Sequence, residues 1–91
     1  MPEPILRWTV APHAARELGR RGLDEITIRN VLVAPEQRET VRPGRDVLQS
    51  RVEFAGAVYL VRVFVDVDRH PPAVVTAYRT SRITKYRGGG R

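Results

Sequence analysis

Apolar residues recur at every second position from Ala57 to Val67, and this alternation constrains the fold more tightly than any other stretch of the chain. Tyr59, Val61, Val63, Val65 and Val67 fall on one side, with Val58, Leu60, Arg62, Phe64 and Asp66 on the other. Only an extended strand alternates its side chains in this way, and a side so rich in valine must be covered by a second layer. The flanking segments keep the same period. Val47 to Phe54 sets Leu48, Ser50, Val52 and Phe54 on one side. Ala73 to Thr80 sets Val75 and Ala77 against Val74, Thr76, Tyr78 and Thr80, and Arg38 to Val41 reads as an edge strand. Arg42-Pro43-Gly44-Arg45 and Ala55-Gly56 supply turns, and Asp68 to Pro72 a loop.

The first third of the chain has a different period. Ile5 to Val10 is rich in β-formers and stops at Ala11-Pro12, as expected of a strand entering a helix with proline at its first position. His13 to Arg20 turns Ala14, Ala15 and Leu18 to one side and His13, Arg16, Glu17 and Arg20 to another. Gly22 suits a left-handed cap, and Asp24 an N-cap for a second helix running through Val33. Leu23 and Ile28 form a hydrophobic staple across that start, and Ile28, Val31 and Leu32 supply the buried stripe. Pro35 ends the helix at Ala34. The order predicts an α+β fold: strand, helix, helix, then an antiparallel sheet of three to four strands, with the helices on one face. Residues 1–87 form a single domain, and Gly88 to Arg91 is expected to be a flexible tail.

The chain has no cysteine, which rules out disulfides and thiolate zinc sites as sources of stability. The longest apolar run, Ala57 to Val61, stops at Arg62, far short of the roughly 20 residues a membrane-spanning helix needs. Met-Pro-Glu-Pro lacks the basic start of a signal peptide, so a cytoplasmic location away from membranes is expected. A formal net charge of +6 attracts phosphate-rich partners, RNA foremost.

If the apolar face of the central strand meets the helices, Gln49, Arg51, Glu53, Arg62, Thr76 and Tyr78 share the opposite, open face. Arginines beside a tyrosine and a threonine there suit phosphate and base contacts, although open faces of antiparallel sheets are polar whenever they touch water. If Arg51 and Arg62 touch phosphates, replacing either should flatten the salt dependence of RNA affinity by about one unit of log–log slope. No phosphate-binding loop or nucleophile elbow occurs, and nothing implies a cofactor or a metal. Metal-free RNA cleavage needs a base for the ribose 2′-hydroxyl, an acid for the departing 5′-oxygen, and cations for the extra phosphate charge. His13 is the candidate base or acid, Tyr78 or Tyr86 the proton-bearing partner, and Arg16, Arg79 and Lys85 the charge stabilisers.

Four motifs in this order resemble a family of short RelE-like proteins, a domain of unknown function placed near the barnase, EndoU, colicin ribonuclease and RelE superfamily. They are His13-x-x-Arg16-Glu17; Arg21-Gly22-Leu23; Val31-Leu32-x-x-Pro35-Glu36; and Val74-Val75-Thr76-Ala77-Tyr78-Arg79-Thr80-Ser81 with Lys85-Tyr86. The resemblance covers almost the whole chain. It implies a curved sheet, metal-independent endoribonuclease activity and a toxin-like role with a partner antitoxin. On it, His13 and Arg16 match the helix-one pair, and Thr76, Tyr78 and Lys85 match the carboxy-terminal strand and tail.

Two other classes compete. Gly19-Arg20-Arg21-Gly22 between short helices is similar to the Gly-x-x-Gly clamp of a KH domain, which would make the protein an RNA-binding module without catalysis. Against that, Thr84 to Arg91 lacks the apolar stripe for the extra helix a KH-type fold needs. A ParE-like inhibitor, binding an enzyme through its sheet or tail, would not need His13.

Overall fold

A computed structural model describes residues 2–87. The expected tail at Gly88 to Arg91 lies outside the described residues. In chain order the elements are β1 (Thr9–Val10), α1 (Pro12–Arg20), α2 (Glu25–Val33), β2 (Gln37–Arg42), β3 (Arg45–Phe54), β4 (Ala57–Asp66), β5 (Ala73–Thr80) and α3 (Ile83–Arg87). The fold is α+β, a five-stranded mixed sheet in the order β1-β5-β4-β3-β2 with three helices.

Local chemistry places the helices as the sequence predicts. Pro12 opens α1, and Ala11 contributes no side-chain cap. At its other end Gly22 adopts φ +69°. The Leu23 amide donates to the Leu18 carbonyl at 3.0 Å and the Gly22 amide to Gly19 at 3.2 Å, a Schellman closure whose apolar pair, Leu18 and Leu23, is buried. The Asp24 carboxylate then accepts from the Thr27 amide at 2.8 Å and starts α2, and Leu23 and Ile28 are both buried at its mouth. Both helices pack on one face of the sheet. There Leu18, Ile28, Val31 and Leu32 meet Leu48, Val61, Val63, Val65, Val74 and Ala77 in one core.

Three expectations are corrected. The first strand is two residues long rather than Ile5 to Val10, and it pairs parallel to β5, so the sheet has five strands and is mixed. The cause is Ile5, which is buried and donates its amide to the Leu32 carbonyl at 2.8 Å, docking the segment on the end of α2 instead of on the sheet. On β5, Val74 faces the core rather than the open face. Pairing jumps from Phe64↔Thr76 to Val65↔Val74, and this bulge leaves Val75 as an extra residue that reverses the alternation before it. Finally, the chain after β5 forms the one-turn helix α3, whose Tyr86 lies on the face away from α1 and α2. Gln49 and Leu60 on that face are 1% and 0% exposed, so the face is only partly open.

Candidate nucleic-acid interface

Three neighbouring strands bring Gln49, Arg62 and Tyr78 into one row, through the pairings Gln49↔Arg62 and Arg62↔Tyr78. Register therefore does what sequence spacing cannot. Arg62 donates from Nε to Gln49 Oε1 at 2.8 Å and from Nη1 to the Tyr78 hydroxyl oxygen at 2.6 Å. Gln49 in turn donates from Nε2 to Gln37 Oε1 at 2.6 Å and to the Tyr86 carbonyl at 3.4 Å. The carboxamide orientation follows from these partners, because arginine can only donate and must meet the oxygen. Arginine has no acceptor, so the Tyr78 oxygen accepts, and its own hydrogen stays available to a further partner.

Aromatic rings surround the guanidinium. Arg62 Cζ lies 4.3 Å from the Tyr86 centroid, 5.4 Å from Phe64 and 5.7 Å from Tyr78. Phe64 stacks on Tyr78 at 6.0 Å, and Tyr78 meets Tyr86 edge-on at 6.3 Å. Lys85 holds its ammonium 5.4 Å from the Tyr86 ring. Cation–π contacts of this kind contribute about 0.5–2 kcal/mol each, and a flat guanidinium among rings is also a surface on which a base can stack.

A second group sits on the rim, at the edge of β5. Strand β1 pairs only with Ala73 and Val74, so among the described residues the rest of β5 has no strand beside it on that side. Arg21, just past α1, reaches across to donate to the Ala77 carbonyl at 2.7 Å and to Thr76 Oγ1 at 3.4 Å, while Glu17 holds it from behind at 2.9 Å. Arg79 lies over the Phe54 and Tyr59 rings at 4.6 and 5.0 Å. Arg21, Tyr78 and Arg79 together line a depression of about 460 Å³.

The predicted site residues thus divide. Arg62, Tyr78, Tyr86 and Lys85 gather on the face opposite α1 and α2, Arg21 and Thr76 meet at the rim, and Arg79 lies on the helix side of β5 over Phe54 and Tyr59. His13, Arg16 and Arg20 do not join them: they line an open groove on the outer surface of α1 with Glu17. Arg20 is paired with Glu17. Arg51 is held by Glu36, from Nε at 3.1 Å and Nη2 at 3.3 Å, and pairs with Leu60 outside that row. In the Gly19-Arg20-Arg21-Gly22 segment, Gly22 terminates a helix and Glu17 pairs with both arginines.

Sequence reasoning missed the roles of Gln49, Gln37 and Phe64. Phe64 follows Arg62 at the strand period, which is a legible signal, whereas nothing in the spacing marks Gln49 as the group that fixes Arg62. Among the described residues no group of three or more His, Cys, Asp or Glu could hold a metal ion, and no helix is long and apolar enough to cross a membrane. No curated protein matches the chain, and no solved structure does. A family model described as a domain of unknown function (DUF4258) matches residues 10–79, from the end of β1 to the penultimate residue of β5, and the chain belongs to that family.

Proposed function

We propose that this protein is a metal-independent endoribonuclease of the RelE-like toxin type, acting on RNA at the junction of its arginine–tyrosine face with the β5 rim and restrained by an antitoxin partner. The observation that carries the reading is the Arg62–Tyr78 hydrogen bond of 2.6 Å inside an aromatic surround. It fixes a phenol that can still donate its proton, beside a surface on which bases stack.

In the proposed reaction the ribose 2′-oxygen bonds to the adjacent phosphorus and gives its proton to water, because His13 lies on the outer surface of α1, away from the phenol. The bond from phosphorus to the 5′-oxygen breaks, and that oxygen takes the Tyr78 proton. The products are a 2′,3′-cyclic phosphate and a 5′-hydroxyl. Arg21 and Arg79 offset the charge that builds on the phosphoryl oxygens, and Arg62 keeps its hydrogen bond to the phenol oxygen throughout the transfer. The toxin role and the antitoxin rest on the resemblance of the His13-x-x-Arg16 and Thr76-to-Tyr86 motifs to that family.

One observation favours a second reading. His13 stands in the helical layer while Tyr78 presents its ring on the opposite face of the sheet, an arrangement that suits RNA binding without cleavage. Incubating the purified chain with RNA in the presence of a chelator decides between them. Cyclic-phosphate ends that disappear in Tyr78→Phe support the nuclease, and salt-sensitive binding with intact RNA supports the binding module.

A further inference from the structure

We infer that the free edge of β5 around Ala77 and Arg79 is a phosphate seat, built from two guanidinium groups and an outward backbone amide. The assignment of RNA as the source of that phosphate rests on the reading above, but the seat itself is defined by its own geometry.

Three features converge there. The Ala77 carbonyl accepts from Arg21, so Ala77 points its backbone groups away from β4. Within a strand the N–H and C=O of one residue share a side, and residues two apart share it too, so the Arg79 amide also faces outward. Among the described residues no strand lies there, because β1 ends its pairing at Val74. Next, the depression of about 460 Å³ lined by Arg21, Tyr78 and Arg79 brings two arginines to that edge. Arginine is the side chain whose fork matches phosphate oxygens two at a time. Lastly, both cations are held in advance. Glu17 and the Ala77 carbonyl fix Arg21, and the Phe54 and Tyr59 rings support Arg79. Holding groups in place before the ligand arrives lowers the entropy cost of binding.

An anion suits this edge better than an added peptide strand. A strand laid along β5 would need the Ala77 carbonyl as an acceptor, and Arg21 already occupies it. What remains at the edge is rich in donors.

The test is an NMR titration of the full chain with inorganic phosphate, with sodium chloride at equal ionic strength as the reference. The Arg79 amide and the Arg21 Nε–H should shift together and saturate. Arg79→Gln should weaken the dissociation constant about tenfold, while Arg79→Lys, which keeps the charge over the two rings, should lose less. Shifts confined to the α1 arginines, or no saturable shift in a wild-type chain that gives a folded spectrum, would overturn the seat. Saturable binding in a chain that leaves RNA intact would keep the seat and remove the nuclease. Cleavage that is unaffected by Arg79→Gln, in a chain that does not bind phosphate, would do the reverse.

Discussion

Arg62 and Tyr78 face each other across the β4–β5 ladder and are joined by a 2.6 Å hydrogen bond from guanidinium to phenol oxygen. Gln49, paired with Arg62 from the other side, accepts from Nε while Tyr78 accepts from Nη1. The row holds two nitrogens of a half-buried cation, and among the described residues no buried side-chain polar atom lacks a partner. Such a network holds its members in one arrangement only while every member is present.

Gln49→Leu tests that dependence. It keeps the volume of a side chain that is 1% exposed but removes the partners of Arg62 Nε and Gln37 Oε1. Unpaired buried polar groups cost about 1–3 kcal/mol each, so the urea midpoint should fall by a corresponding amount. An unchanged midpoint would show that the row contributes nothing to stability.

The acid limb of stability should report Asp66. The hydrogen bond from Arg45, at 2.6 Å, holds its carboxyl below the usual value of 3.8, and the charges of Arg45, Arg42 and Arg69 act in the same direction against the opposing effect of burial. A carboxyl depressed in the folded state contributes stability that is fully present above its unfolded value and is lost as pH falls through the folded one. Urea midpoints should therefore be flat above about pH 5 and decline below about pH 4. Asp24, lowered by the Thr27 amide, adds to the same limb. Asp66→Asn should make the decline shallower, and an unaltered acid limb in that variant would exclude the pair as its cause.

The β3–β4 turn offers a stabilising change. Ala55 has φ +52° and Gly56 φ +86°, the double positive that a tight hairpin turn demands, and a side chain at the first of these positions is strained. Ala55→Gly should raise stability by about 0.5–1 kcal/mol, since left-handed backbone costs a non-glycine residue roughly 1 kcal/mol or more and glycine gives part of this back in the unfolded chain. Thermal unfolding should show this as an increase of a few degrees, and a lower midpoint would contradict it.

Salt dependence of RNA affinity separates the arginines. Arg79 at the rim should lose about 0.7 of a unit of log–log slope when replaced by Gln, the value for one phosphate contact on a single strand. Arg51, engaged by Glu36, should lose little, contrary to the expectation from its place on the open face alone. Equal losses at both positions would mean that the charge acts as a diffuse field rather than at a seat.

Much of this fold was legible before any coordinates. The Gly22 cap, the Asp24 cap, the Leu23–Ile28 staple and the alternation along β4 each follow from a local rule that the surrounding structure leaves intact. What failed was set by distant partners. Ile5 abandons the sheet for Leu32, and the bulge at Val75 turns Val74 inward, because pairing across strands rather than local preference fixes register. The site followed the same division. Arg62 and Tyr78 could be placed on one face by counting in twos, but neither the part played by Gln49 nor the reach of Arg21 to Ala77 across fifty-six positions leaves a trace in spacing. Tyr86 was a candidate proton donor, yet its place over Arg62 depends on a one-turn helix too short to show an apolar stripe.

In the proposed reaction the Tyr78 hydroxyl, fixed by Arg62, delivers a proton to the departing oxygen of RNA. Single-turnover cleavage of an RNA oligonucleotide by Tyr78→Phe, in chelator and beside a binding measurement on a 2′-deoxy analogue, tests it most directly. Cleavage should slow by about a hundredfold or more, as loss of a general acid requires, with affinity for the analogue within about twofold of wild type. Cleavage at the wild-type rate in Tyr78→Phe would contradict the account.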